Sequence, residues 1–107
     1  MNRTQTIKKL DKCWAGQVIG GGPCEVCGSR FMVDAHHYIK RTNFNLRWNI
    51  RNGIRLCRLK CHKWAESDPK WFAKWFQKNR PADKEYCDRV AKEPIKPIKT
   101  YMLKERI

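Results

Sequence analysis

Two cysteine pairs constrain this chain more than any other feature of it. In Cys24-x-x-Cys27 and Cys57-x-x-x-Cys61 each pair sits within about one turn of backbone, the spacing at which two thiolates reach one metal ion. If all four share a zinc, the segment from 27 to 57 becomes a loop closed at its base, and whatever it carries is built on that frame. The alternative for six cysteines in 107 residues is three disulfides. Disulfides need an oxidising compartment, and Met1 to Lys9 has no hydrophobic segment behind it to direct export. The expectation is therefore structural Zn²⁺ in a cytoplasmic protein. A closed all-cysteine site is not catalytic, because catalytic zinc keeps a position open for water. Cys13 and Cys87 stand alone and read as small buried hydrophobes.

All three histidines fall beside this frame. Phe31-Met32-Val33 reads as a short strand that delivers Asp34 to His37 to its end. Gly53-Ile54-Arg55-Leu56 alternates and predicts a second strand, antiparallel to the first. A helix is expected from Arg58 to about Glu66, with Cys57 ending the strand, Cys61 on the first helical turn and His62 just after it. Adjacent strand residues point to opposite sides, so His36 and His37 take separate tasks: one binds a divalent metal and the other faces an incoming water. His62 closes the metal site from the helix. Phosphodiester hydrolysis needs this set, a base to deprotonate water and a cation to neutralise charge growing on the phosphate. An imidazole with a pKa near about 6.5 suits the first task. The bland alternative is a structural histidine pair, or His62 completing the zinc site.

Charge narrows the class. With 24 Lys+Arg against 10 Asp+Glu, a net charge of +14, the chain calls for a polyanion, and nucleic acid is the commonest. An anionic membrane is the rival, but the basic residues are not gathered on one amphipathic helix, and no apolar run of about 18 residues spans a bilayer. Between Ala35 and Ala65 there is no acid at all, while Lys40, Arg41, Arg47, Arg51, Arg55, Arg58, Lys60 and Lys63 fall there. A run of charge is usually a solvated face. Here it surrounds the histidines, as a phosphate track would, with little base readout.

The rest of the chain, 107 residues in one domain, reads as support. From about Thr6 to Ile19, Ile7, Leu10, Trp14 and Val18 make one helical stripe, with Lys8, Lys9 and Lys12 on the other side. Gly20-Gly21-Gly22-Pro23 ends it. Cys24-Glu25-Val26-Cys27-Gly28 is a tight knuckle. The polar run from Lys40 to Asn49 reads as a loop, although Phe44, Leu46, Trp48 and Ile50 alternate as a short strand would. Ser67-Asp68-Pro69 starts a helix whose Trp71, Phe72, Trp75 and Phe76 read as core rather than a base-stacking stripe. A shorter helix follows from Ala82 to about Lys92, and Ile98 to Ile107 is a basic, apolar tail.

Taken together, Cys24-x-x-Cys27, Asp34-Ala35-His36-His37, Arg47-Trp48-Asn49, Asn52-Gly53-Ile54-x-Leu56-Cys57 and Cys61-His62-x-Trp64-Ala65 resemble the HNH endonucleases of the zinc-bearing kind often encoded by bacteriophages. The resemblance spans roughly residues 7 to 80. It implies an α+β fold with a small ββα-metal (His-Me finger) core from about 23 to 66, flanked by the N-terminal helix and by C-terminal helices and a basic tail. It further implies single-metal DNA hydrolysis that leaves 5′-phosphate and 3′-hydroxyl ends. Duplex or branched DNA is the expected partner, and nicking is the expected outcome because a small one-site nuclease cuts one strand per event. By motif position His37 is the general base, His36 and His62 are ligands of a catalytic Mg²⁺ or Mn²⁺, and Asn52 orients the loop or the base, with Asn49 as its rival. The four cysteines hold the structural zinc. A monomer or weak homodimer in the host cytoplasm is the matching expectation, and a non-catalytic zinc module that binds nucleic acid is the alternative. One departure stands out: many members have C-x2-C before the final histidine. The extra residue here turns His62 by about 100° if the helix is regular.

Overall fold

The computed structural model describes residues 2–97 and 99. Four α-helices surround a two-stranded antiparallel sheet. The order is α1 (Arg3–Ile19), β1 (Val33–His37), a 3₁₀ turn (Ile50–Asn52), β2 (Gly53–Cys57), a π turn (Arg58–His62), α2 (Lys63–Ser67), α3 (Pro69–Asn79) and α4 (Pro81–Ala91). The fold is α+β, as expected. Among the described residues no helix is long and apolar enough to cross a membrane.

Helix α1 starts earlier than its apolar stripe suggests. The Asn2 side-chain oxygen accepts from the Gln5 amide, and the Gln5 side-chain oxygen accepts from the Asn2 amide, a reciprocal cap that satisfies two end donors. Its buried stripe is Thr6, Leu10, Trp14 and Val18, so Thr6 takes the place expected for Ile7. The helix stops at Gly20, whose φ of 48° is left-handed.

β1 begins at Val33, two residues later than the expected start at Phe31. Met32 has a φ of 51°, which no extended strand accommodates, so Phe31 and Met32 stay outside the sheet and exposed. Asp34, Ala35, His36 and His37 consequently lie within the strand rather than beyond it. The register pairs Asp34 with Leu56, His36 with Ile54 and His37 with Gly53. Because pleating alternates sides, Asp34, His36, Ile54 and Leu56 share one face, and Ala35, His37, Gly53 and Arg55 share the other.

Each face has its own cover. α1 lies over Gly53 so closely that a Cβ there would meet Val18 at 2.4 Å and Trp14 at 2.8 Å. The opposite face packs Ile54 and Leu56 with Ala65, Phe72, Phe76 and three of the cysteines into one core cluster. Phe72 and Phe76 are buried, while Trp71 and Trp75 pack at its margin, so the aromatic stripe of α3 is core. That helix is capped by Asp68, which accepts from the Trp71 amide, with Pro69 in the first turn. Segment 40–49 is a loop, without the alternative strand. The tail from Ile98 to Ile107 lies outside the described residues apart from Lys99.

Candidate metal centres and active-site cleft

The knuckle from Cys24 to Ser29 turns back on itself through bonds from the Cys24 amide to the Ser29 carbonyl and from the Gly28 amide to the Cys24 carbonyl. Glu25 fastens it to the free edge of β2: its amide donates to the Arg55 carbonyl, and its carboxylate accepts from the Arg55 amide at 2.7 Å. This puts Cys24 and Cys27 against Cys57 and Cys61. One sulfur from each of the four lies within 4.8 Å of the others, close enough to share a metal ion. All six cysteines are free thiols. The Cys27–Cys57 sulfur separation of 3.7 Å is a contact, not a bond. Burial opposes ionisation of Cys24, but the amides of Cys27, Cys57 and Val26 aimed at it bring its pKa down to about 7. Burial first, then the neighbouring sulfurs, raises that of Cys61. Four sulfurs, one of them with a lowered pKa, fit a soft divalent ion. Cys87 is buried as expected, whereas Cys13 is exposed at the margin of a small cleft. It falls off the buried stripe of α1, between Leu10 and Trp14.

A second donor cluster forms around His62, the residue next to Cys61. His36, His62 and Glu66 offer two ring nitrogens and a carboxylate oxygen, all within 4.8 Å of one another. The His36 and His62 rings meet edge-on at 5.0 Å, and His36 also rests edge-on against Phe72. The extra residue between Cys57 and Cys61 does not swing His62 away. Residues 58–62 form a π turn, bonded i to i+5 rather than i to i+4, which takes up one more residue per turn. Asp34 accepts from His62 Nδ1 at 3.1 Å and is itself held by Arg58. The other ring nitrogen, Nε2, lies 3.0 Å from Glu66. Burial, then the charges of His62 and His37, push His36 down to about 4, so it presents a neutral imidazole at neutral pH, the form that can hold a metal. Glu66 is the member that the sequence reading lacked. Its signal is the four-residue spacing from His62, which sets both on one helix face.

His37 points the other way and stacks on Trp14, centroids 3.9 Å apart and planes 9° from parallel. Its Nε2 donates to the Arg47 carbonyl at 2.9 Å, which leaves Nδ1 as the lone-pair nitrogen of the neutral ring. Burial lowers its pKa below the ordinary histidine value against the opposing Arg47 bond. Although they face opposite ways, His36 and His37 both line one cavity of about 550 Å³, with Lys40, Arg41, Thr42, His62 and Glu66.

Asn52 is fully buried and acts on the loop that bears these cations. Its Oδ1 accepts from the Ile39 amide at 2.7 Å, and its Nδ2 donates to the carbonyls of Ile39 and Leu46. Both ends of segment 39–46 are thereby tied to the start of β2. Asn49 instead caps the 3₁₀ turn and donates to the Tyr86 hydroxyl.

The expected phosphate contacts divide into two groups. Lys40 and Arg41 line the cavity, and Lys63 is exposed at the start of α2. Three arginines have internal partners: Arg47 is doubly bonded to Asp11, Arg51 pairs with Asp83, and Arg55 donates to the Pro23 carbonyl. The acid-free stretch is therefore not without acidic partners, because balancing acids come from α1 and α4, outside it.

No protein-family model, curated protein or solved structure matches this chain detectably.

Proposed function

We propose that the protein is a metal-dependent DNA endonuclease of the HNH kind, with β1, β2 and the π turn leading into α2 as its ββα-metal core. One observation carries the reading: a neutral, half-buried histidine and a two-histidine, one-carboxylate donor set reach one cavity from opposite faces of one strand, beside Lys40 and Arg41. Nothing in a merely structural cluster calls for that convergence.

In this reading His37 takes a proton from the attacking water at Nδ1, while the Arg47 carbonyl fixes its tautomer and Trp14 its plane. Asn52 is a positioning residue, because the loop it ties down brings Arg47 to His37 and Lys40 and Arg41 to the cleft. Lys40, Arg41 and Lys63 bind phosphates of the DNA, and Arg47, Arg51 and Arg55 shape the surface that presents them. His36, His62 and Glu66 would hold a divalent ion, and Asp34 orients His62 from behind. When bound, that ion supplies Lewis-acid stabilisation of charge on the phosphate and leaving oxygen. The nitrogen-rich donors suit Mn²⁺ or a similar transition ion better than Mg²⁺, which prefers oxygen ligands. The four cysteines would hold Zn²⁺, with no open position and no part in the chemistry.

A nucleic-acid-binding module without catalysis is favoured by one feature: both His62 ring nitrogens already have carboxylate partners. Supercoiled plasmid separates the two readings. Nicking that requires Mn²⁺ or Mg²⁺ is expected, leaving ends that ligase reseals. His37→Ala should abolish nicking yet retain zinc and DNA binding, and Glu66→Gln should raise the metal concentration needed. Absence of metal-dependent nicking at low salt would leave only the binding module.

A further inference from the structure

A second cavity, of about 460 Å³, opens beside the first and is lined by Thr4, Ile7, Lys8, Asp11, Arg41, Thr42 and Arg47. Arg41 and Thr42 line both. The two depressions are thus one cleft with a shared wall, running from His36, His62 and Glu66 past His37 to the N-terminal half of α1.

We propose that the DNA track leaving the candidate active site continues along this half of α1, with Thr4 and Lys8 binding backbone phosphates of one strand. The division of labour along α1 supports this. Leu10, Trp14 and Val18 are buried against the body, whereas from Arg3 to Lys9 only Thr6 is buried. The sole acid in the second cavity is Asp11, which accepts from the Arg47 guanidinium at 2.8 and 2.9 Å and from the Trp48 indole at 2.9 Å. With that carboxylate neutralised, the charge facing the cleft is set by Lys8 and Arg41. Ammonium, guanidinium and threonine hydroxyls are the groups that hold phosphates without reading sequence. The same Asp11 bonds lock α1 to the loop bearing Arg41, so both walls keep a fixed separation.

The inference rests on the nuclease reading but is tested by binding alone. Fluorescence anisotropy of a labelled duplex, over a series of KCl concentrations without added divalent metal, would compare Lys8→Ala, Thr4→Ala/Lys8→Glu and Lys78→Ala. Lys78 is exposed near the end of α3 and lines neither cavity. Lys8→Ala should weaken binding about threefold or more and lower the salt slope by about one. The double variant should weaken it further, and Lys78→Ala should match the parent. Far-UV circular dichroism confirms that the variants fold. Parent-like affinity and slope for both cleft variants would overturn the track, as would an equal loss with Lys78→Ala, which would mean diffuse attraction. So would loss of binding to a labelled polyglutamate peptide with DNA binding intact, which would point to an acidic protein as occupant. If cleavage is absent but the Lys8 dependence holds, the nuclease reading fails and the track stands.

Discussion

His36 and His37 show how much one peptide bond can separate. Pleating sends His36 towards Phe72 and His62 and His37 onto Trp14, and adjacency in a strand made that legible. The protonation states are separable too. A general base works unprotonated, and burial lowers the pKa of His37. Below that pKa the ring carries a proton and is idle; above it Nδ1 is free. Cleavage at saturating metal should therefore rise with pH and reach its plateau with an acid limb centred below about 6.5, the ordinary histidine value. A kcat–pH profile centred higher would mean that another group limits the rate. Glu66 was less legible because it lies just past the acid-free stretch, where only its spacing from His62 marks it. The partners of Arg47 and Arg51 were not legible at all. Asp11 is 36 residues from Arg47 and Asp83 is 32 from Arg51, and no local pattern encodes such a pairing.

At the scale of elements, the seating of α1 on β2 decides how well the cleft is built. Trp14 touches the space above Gly53, stacks on His37 and donates to the Asn49 carbonyl. Gly53→Ala should therefore lift the helix, costing about 1–3 kcal/mol as an overpacked core position does. Nicking should fall more than DNA binding, because the His37 stack is disturbed while the cleft cations remain. Urea denaturation and the plasmid assay check the two effects, and unchanged stability would mean that α1 yields without strain. Element types could be read from periodicity, and the start of α3 from Asp68-Pro69, but the starts of α1 and β1 could not. α1 begins at a polar cap before any apolar residue, and β1 waits for the chain to leave the left-handed turn at Met32.

For the whole molecule, the question is what replaces a large core. The sheet has two strands, and three of the four clustered cysteines belong to the core itself. Small folds of this kind depend on a staple. With zinc at the four cysteines as proposed, a strong chelator should unfold the protein cooperatively, with one zinc released per chain and the thiols becoming reactive. Circular dichroism and a colorimetric zinc assay would show both, and a melting temperature indifferent to chelation would reduce the cysteines to packing. The two centres meet at the π turn, where Cys61 faces the sulfur cluster and His62 the nitrogen–oxygen one. A π turn holds one residue more between its bonded groups than an α turn does, so chain length is negotiable there. Leu59, 58 % exposed, contributes little to packing. Deleting it should let the turn relax to ordinary α pitch with Cys61 and His62 still on their own sides, keeping zinc and nicking. A second residue added beside Leu59 has no wider turn to retreat into and should uncouple the two centres.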